Sequence, residues 1–138
     1  MKRVLVTKLK ELSPDHPERQ NVVPHDMELR KIKQDVLGST NFWSFGFCHV
    51  PPKGGFPLHA HPESWVSETG QDMPREELYY ILRGDGKIMF REEGASETTE
   101  VNVFPETVIY FPAHTYHGLQ NTGSDMLTVF YITAIVPE

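Results

Sequence analysis

The sequence predicts an all-β domain, built as a small barrel or a double-sheet sandwich. Two observations carry this. Eleven prolines and ten glycines punctuate the 138 residues at short intervals, which suits many short strands and leaves little room for helices. The stretches between them alternate or run apolar, and none repeats its apolar residues with a helical period. The length fits one domain over residues 1–138, with a core able to bury roughly two-thirds of the unfolded surface.

Taken in order, residues 4–12 read as a first extended segment that stops at Ser13-Pro14. Residues 14–24 form a polar connection. Residues 27–33 alternate as Met, Glu, Leu, Arg, Lys, Ile, Lys, which reads as an edge strand with its charges outward. Residues 42–51 are rich in aromatics and read as a strand entering the core, with Cys48 as a small buried hydrophobe. The runs 78–82 and 87–91 bracket Arg83-Gly84-Asp85-Gly86, a pattern that predicts a hairpin. Residues 101–104, 108–111, 117–121 and 126–136 complete the strands, with Gly123-Ser124 turning before the last. Many short antiparallel strands in one domain point to a barrel or sandwich.

Charge narrows the function. Thirteen basic against nineteen acidic residues give a net −6, a poor match for nucleic acid, whose phosphates need clustered Lys and Arg. Arg30, Lys31 and Lys33 are flanked by Glu28 and Asp35 and read as a solvated strand face. The lone Cys48 cannot form an internal disulfide. Residues 4–6 are too short for the apolar core of a signal peptide, and residues 126–136 too short for a membrane-spanning helix. The expectation is a cytoplasmic protein without membrane or nucleic-acid partners.

Chemistry concentrates at His59-Ala60-His61, which follows the turn-rich run Pro51-Pro52-Lys53-Gly54-Gly55-Phe56-Pro57. Residues i and i+2 of a strand share a face, so the two imidazoles would project together. Imidazole suits Zn, Fe, Ni and Cu, and a carboxylate completes such a site for a borderline ion. Glu77 heads the strand 78–82 and shares a face with Tyr79 and Ile81, while Glu76 faces away. His117 shares a face with Leu119 and Asn121.

Together these residues resemble the two motifs of the cupin superfamily. The first is written G-x5-H-x-H-x3,4-E-x6-G. Gly54 or Gly55 precedes His59 and His61, and six residues separate Glu77 from Gly84. The second is written G-x5-P-x-G-x2-H-x3-N, and Pro112, His117 and Asn121 keep its spacings. The motifs span residues 54–121. The resemblance implies a small double-stranded β-helix, the cupin jelly-roll barrel, with His59, His61, Glu77 and His117 as ligands to one divalent metal ion, whether Fe, Mn, Ni, Zn or Cu.

The chain departs from the pattern in three places. Fifteen residues, 62–76, separate His61 from Glu77 and read as an inserted loop. That leaves Glu63, Glu68 or no carboxylate as alternatives to Glu77. Glu106 and His114 stand where the second motif has glycines. A turn glycine often supplies a positive φ, so the expectation is either slight strain at His114 or an adjusted turn.

Three imidazoles and a carboxylate leave about two positions of a six-coordinate ion for a substrate. The expected function is a metal-dependent enzyme acting on a small oxygenated molecule, of the dioxygenase or sugar isomerase/epimerase type. The alternatives are a non-catalytic small-molecule or sugar-binding module and a role in which metal occupancy is itself the signal. Tyr79, Ile81 and Leu119 are expected to line the pocket, with Phe45, Phe47, Tyr110 and Phe130 as further candidates. The loop 62–76, with Trp65 and Met73, is expected to act as a lid, a selector or an oligomer contact. The resemblance also implies a homodimer, with residues 4–12 able to cover a sheet edge.

Overall fold

Strict alternation organises the long strands of this computed structural model, which describes residues 6, 8, 10, 28–33, 42–59 and 74–136. Strand β2 (Phe42–Val50) buries Ser44, Gly46, Cys48 and Val50 and turns the residues between them outward. Strand β4 (Arg75–Arg83) buries Arg75, Glu77, Tyr79 and Ile81. Strand β9 (Leu127–Ile135) buries Leu127, Val129, Tyr131 and Thr133. One face of each strand therefore builds the interior.

The remaining strands are β1 (Glu28–Lys33), β3 (Gly55–His59), β5 (Gly86–Arg91), β6 (Thr99–Val103), β7 (Val108–Phe111) and β8 (Tyr116–Asn121). They form two antiparallel sheets, of order β1-β2-β9-β4-β7 and β3-β8-β5-β6. The described residues contain no helix that could cross a membrane. The jelly-roll expectation holds, and β1 is an edge strand as its alternation predicts. Of residues 4–12 only Val6, Lys8 and Lys10 are described; the rest of that segment lies outside the described residues.

Register stacks the inner face of the five-stranded sheet into rungs. Val50 pairs with Leu127 at one end. Cys48, Val129 and Ile81 make the next rung, and Gly46, Tyr131 and Tyr79 the third. Ser44, Thr133 and Glu77 make the fourth, beside Phe111 of β7. Ile88, Val103 and Leu119 of the opposite sheet close the core over these rungs.

Three expectations need correction. The run Arg83-Gly84-Asp85-Gly86 is not a hairpin: β4 lies in one sheet between β9 and β7, and β5 lies in the other. The turn is a corner between sheets. Gly84 has φ 83°, and a Cβ there would lie 2.5 Å from the Met126 carbonyl oxygen, so the corner presses on the start of β9. Apolar runs flanking a turn look alike whether the chain folds back or crosses over. The second correction concerns the aromatics. Phe45, Phe47 and Phe130 cluster on the outer parity of β2 and β9, with ring centroids 6.4 and 5.5 Å apart, and Tyr110 is exposed. None lines the interior, because Ser44, Gly46 and Cys48 hold the inward positions. The third concerns the insertion: Arg75 and Glu76 belong to β4, so the loop ends sooner than residue 76.

Candidate metal centre

Strands β4 and β8 bring Glu77 and His117 together. His117 Nε2 lies 3.1 Å from Glu77 Oε2 with both side chains buried. The imidazole is held on three sides. Phe111 stacks on it at 4.5 Å and 17°, and Tyr79 meets it edge-on at 6.0 Å. Its Nδ1 lies 3.3 Å from the Thr115 carbonyl. A carbonyl only accepts, so Nδ1 donates, and a neutral ring then presents the Nε2 lone pair toward Glu77. Such a carbonyl behind the ring is the arrangement that orients histidine ligands.

This donor set fits a metal ion. A lone pair and a carboxylate oxygen facing each other repel unless a proton or a cation lies between them. Two donors 3.1 Å apart subtend roughly 95° at an ion about 2.1 Å from each, close to adjacent positions of an octahedron.

The other expected ligands stand as follows. The backbone of His59 ends β3, in register opposite His117; its side chain lies outside the described residues. Phe56 pairs with Leu119 and His59 with His117, so three steps on β3 match two on β8. This bulge falls between Phe56 and His59, a stretch that holds Pro57, which cannot donate to a ladder. His61, Glu63 and Glu68 lie outside the described residues. Among the described residues, no three His, Cys, Asp or Glu side chains gather around one point. Among the described residues, Glu77 is the carboxylate beside His117.

Neighbouring groups are held neutral. Burial and, second, the Glu77 charge push the Tyr79 hydroxyl well above the usual phenol range. The same causes in the same order push the Cys48 thiol up to about 12. Cys48 is thus an inert buried thiol, as its sequence context predicts.

The spacing from His117 to Asn121 has a different meaning. Its Nδ2 donates to the Val50 carbonyl at 2.9 Å and the Asp125 carbonyl at 2.8 Å, and its Oδ1 accepts from Gly123 N at 2.9 Å. Asn121 ties the end of β2 to the turn between β8 and β9. Glu106 and His114, at the two replaced glycine positions, have φ of 73° and 67°.

Sequence reasoning missed Arg75. It is only 3% exposed, and its guanidinium lies 4.7 Å over the Trp43 ring. Counting back two residues from Glu77 along an extended β4 would have found it.

Comparison with known proteins matches this architecture. A protein described as a predicted oxalate decarboxylase from Thermotoga maritima superposes with TM-score 0.71 at 20% identity, over 96% of this chain and all of its own. The Schizosaccharomyces pombe Cnp3 cupin domain superposes with TM-score 0.65 at 13% identity, over 97% of this chain and 76% of that one. The chain has the cupin fold. An oxalate oxidase is similar over 95% of this chain and 59% of its own, with TM-score 0.69 at 14% identity. No protein-family model matches the chain, and no curated protein matches it.

Proposed function

We propose that this cupin is a metal-dependent enzyme acting on a small oxygenated molecule, of the dioxygenase or sugar isomerase/epimerase type. His59, His61, Glu77 and His117 hold one divalent ion. The observation that carries this reading is the buried Glu77–His117 pair at 3.1 Å, with the Thr115 carbonyl behind the ring. Descriptions of similar folds as an oxalate decarboxylase and an oxalate oxidase support an enzyme.

When bound, the ion supplies Lewis-acid polarisation of a substrate oxygen and, if redox-active, electron transfer. The chain's own residues do the rest. Phe111 and Tyr79 fix the imidazole plane. Tyr79 keeps its proton beside Glu77. The apolar rungs beneath exclude water from the floor of the site.

Metal analysis of the purified protein tests the first half of the proposal, and one equivalent per chain is expected. Oxygen uptake by the iron-loaded protein against catechols, diketones and thiol acids tests one branch. Aldose–ketose interconversion with manganese or zinc tests the other. A protein that holds metal and ligand yet turns over nothing in either assay is the non-catalytic binding module instead.

The homodimer belongs to the same proposal. Leu78, Val108 and Tyr110 are exposed on neighbouring positions of β4 and β7, an apolar patch suited to a second copy. Sedimentation giving a monomer at high concentration would refute it.

A further inference from the structure

We infer that Phe111 is a positioning residue that sets the spacing between Glu77 and His117, holding one through its backbone and the other through its ring. The inference rests on the metal-centre reading above and extends it from the plane of one ring to the distance across the sheets. Glu77 belongs to the five-stranded sheet and His117 to the four-stranded one. Packed sheets stand about 10 Å apart and meet through side chains alone. A contact of 3.1 Å between residues of opposite sheets therefore needs something local to fix the gap.

Phe111 touches both sides of that gap. It ends β7 and pairs in register with Glu77, so the two side chains leave neighbouring strands on one face, with Cβ atoms roughly 5 Å apart. Its ring is buried and reaches the opposite sheet, where it stacks on His117 at 4.5 Å and 17°. Tyr79, two residues beyond Glu77 on the inward face of β4, meets both rings edge-on. It stands 5.1 Å from Phe111 at 80° and 6.0 Å from His117 at 83°. The stack is thus wedged from β4 as well.

The chain closes the same circuit. Residues 112–115 are all that separates β7 from β8, so the segment that carries Phe111 out of one sheet delivers His117 into the other. Pro112 keeps Phe111 extended. His114 reverses the backbone at φ 67°, and Thr115 supplies the carbonyl that accepts from His117 Nδ1. At 3.3 Å that hydrogen bond is long and opposes ring rotation only weakly. A flat ring stacked on the imidazole opposes it directly. An ion at Nε2 lies in the imidazole plane, so the stack also fixes the line on which the ion sits. Such an ion draws electron density from the imidazole, and the face of Phe111 then attracts that ring more strongly.

Calorimetric titration of metal-free protein with zinc, against a competing chelator, tests this, together with NMR shifts of the His117 imidazole nitrogens. Phe111→Leu is expected to weaken zinc binding roughly 10- to 100-fold, the usual cost of removing a group that orients a ligand. In metal-free protein it should move the imidazole signals toward the average of the two tautomers. Phe111→Tyr keeps a flat ring and should match the wild type in both readouts. Ile81→Ala, which removes core volume away from the centre, should also match it. Unchanged zinc affinity or unchanged imidazole signals in Phe111→Leu overturns the inference and leaves the metal centre standing. Equal losses of affinity in Phe111→Leu and Ile81→Ala overturn it too, because general stability then explains both. A wild-type protein that takes up no zinc, beside averaged tautomers in Phe111→Leu, refutes the metal reading and upholds the positioning of the pair.

Should Phe111→Leu fail to fold, the wild-type protein carries the test. Nuclear Overhauser contacts between the Phe111 and His117 rings should persist on zinc loading. Their loss on loading overturns the inference.

Discussion

The two ends of one sheet face differ more than any two strands do. Along β2, β9 and β4 the same alternation sends every second side chain inward. At one end these are Val50, Leu127, Val129 and Ile81, each no more than 1% exposed. At the other they are Ser44, Thr133, Glu77 and Arg75, all buried as well. Burial is thus equal, and chemistry is not. The apolar end gains from leaving water. The polar end requires partners for every buried group. The first is the core that holds the strands; the second holds only where hydroxyl pairs, ring stacking and buried charge pairs satisfy it.

Substitutions at the two ends should therefore fail differently. His117→Ala has the largest expected effect, loss of stoichiometric metal while the sheets persist; elemental analysis with circular dichroism checks it, and unchanged metal would refute the ligand set. Ile81→Ala, at a fully buried position, should cost about 2–5 kcal/mol. Urea unfolding measures that loss, and metal content should remain stoichiometric in the folded protein.

Cys48 probes the boundary between the ends. Its folded thiol titrates at about 12 against an ordinary 9.0. Between these values the folded state holds a proton that the unfolded state releases, so stability should fall as pH rises from about 9 toward 12. Urea midpoints across that range check the sign, and Cys48→Ala should make the slope shallower, with the raised Tyr79 hydroxyl supplying the remainder. The smallest effect lies farthest from either end. His114→Gly and Glu106→Gly should each stabilise by up to about 1 kcal/mol, because glycine relieves the left-handed backbone at φ 67° and 73°; thermal melts should rise by a few degrees.

Strand positions were legible because alternation is local: the run 108–111 is β7 itself. The left-handed turns were legible too, since motif spacing marks where glycine belongs. What failed was whatever depends on distant partners. The corner at Gly84 reads as a hairpin until β9 is seen occupying the flank of β4. Phe45, Phe47 and Phe130 read as lining because large apolar residues usually face inward. Here the inward positions of β2 hold smaller residues, which leaves room around Tyr79 and Tyr131. Arg75 went unseen because the inserted loop reads as running through residue 76, which places Arg75 outside any strand. Of the four proposed ligands, Glu77 and His117 were legible from spacing and do meet.

The central place of β9 also governs assembly. Phe45 pairs with Ile132, and Tyr79 with Tyr131. During synthesis, β2 and β4 are made long before the strand that joins them. A nascent chain that has not yet reached Leu127 carries two strands with unsatisfied edges and an unroofed Glu77. Long-range pairings of this kind are slow to form and prone to association. The carboxylate of the proposed centre is thus fixed in place only when almost the whole described fold has emerged, and the proposed site is completed by the final step of folding.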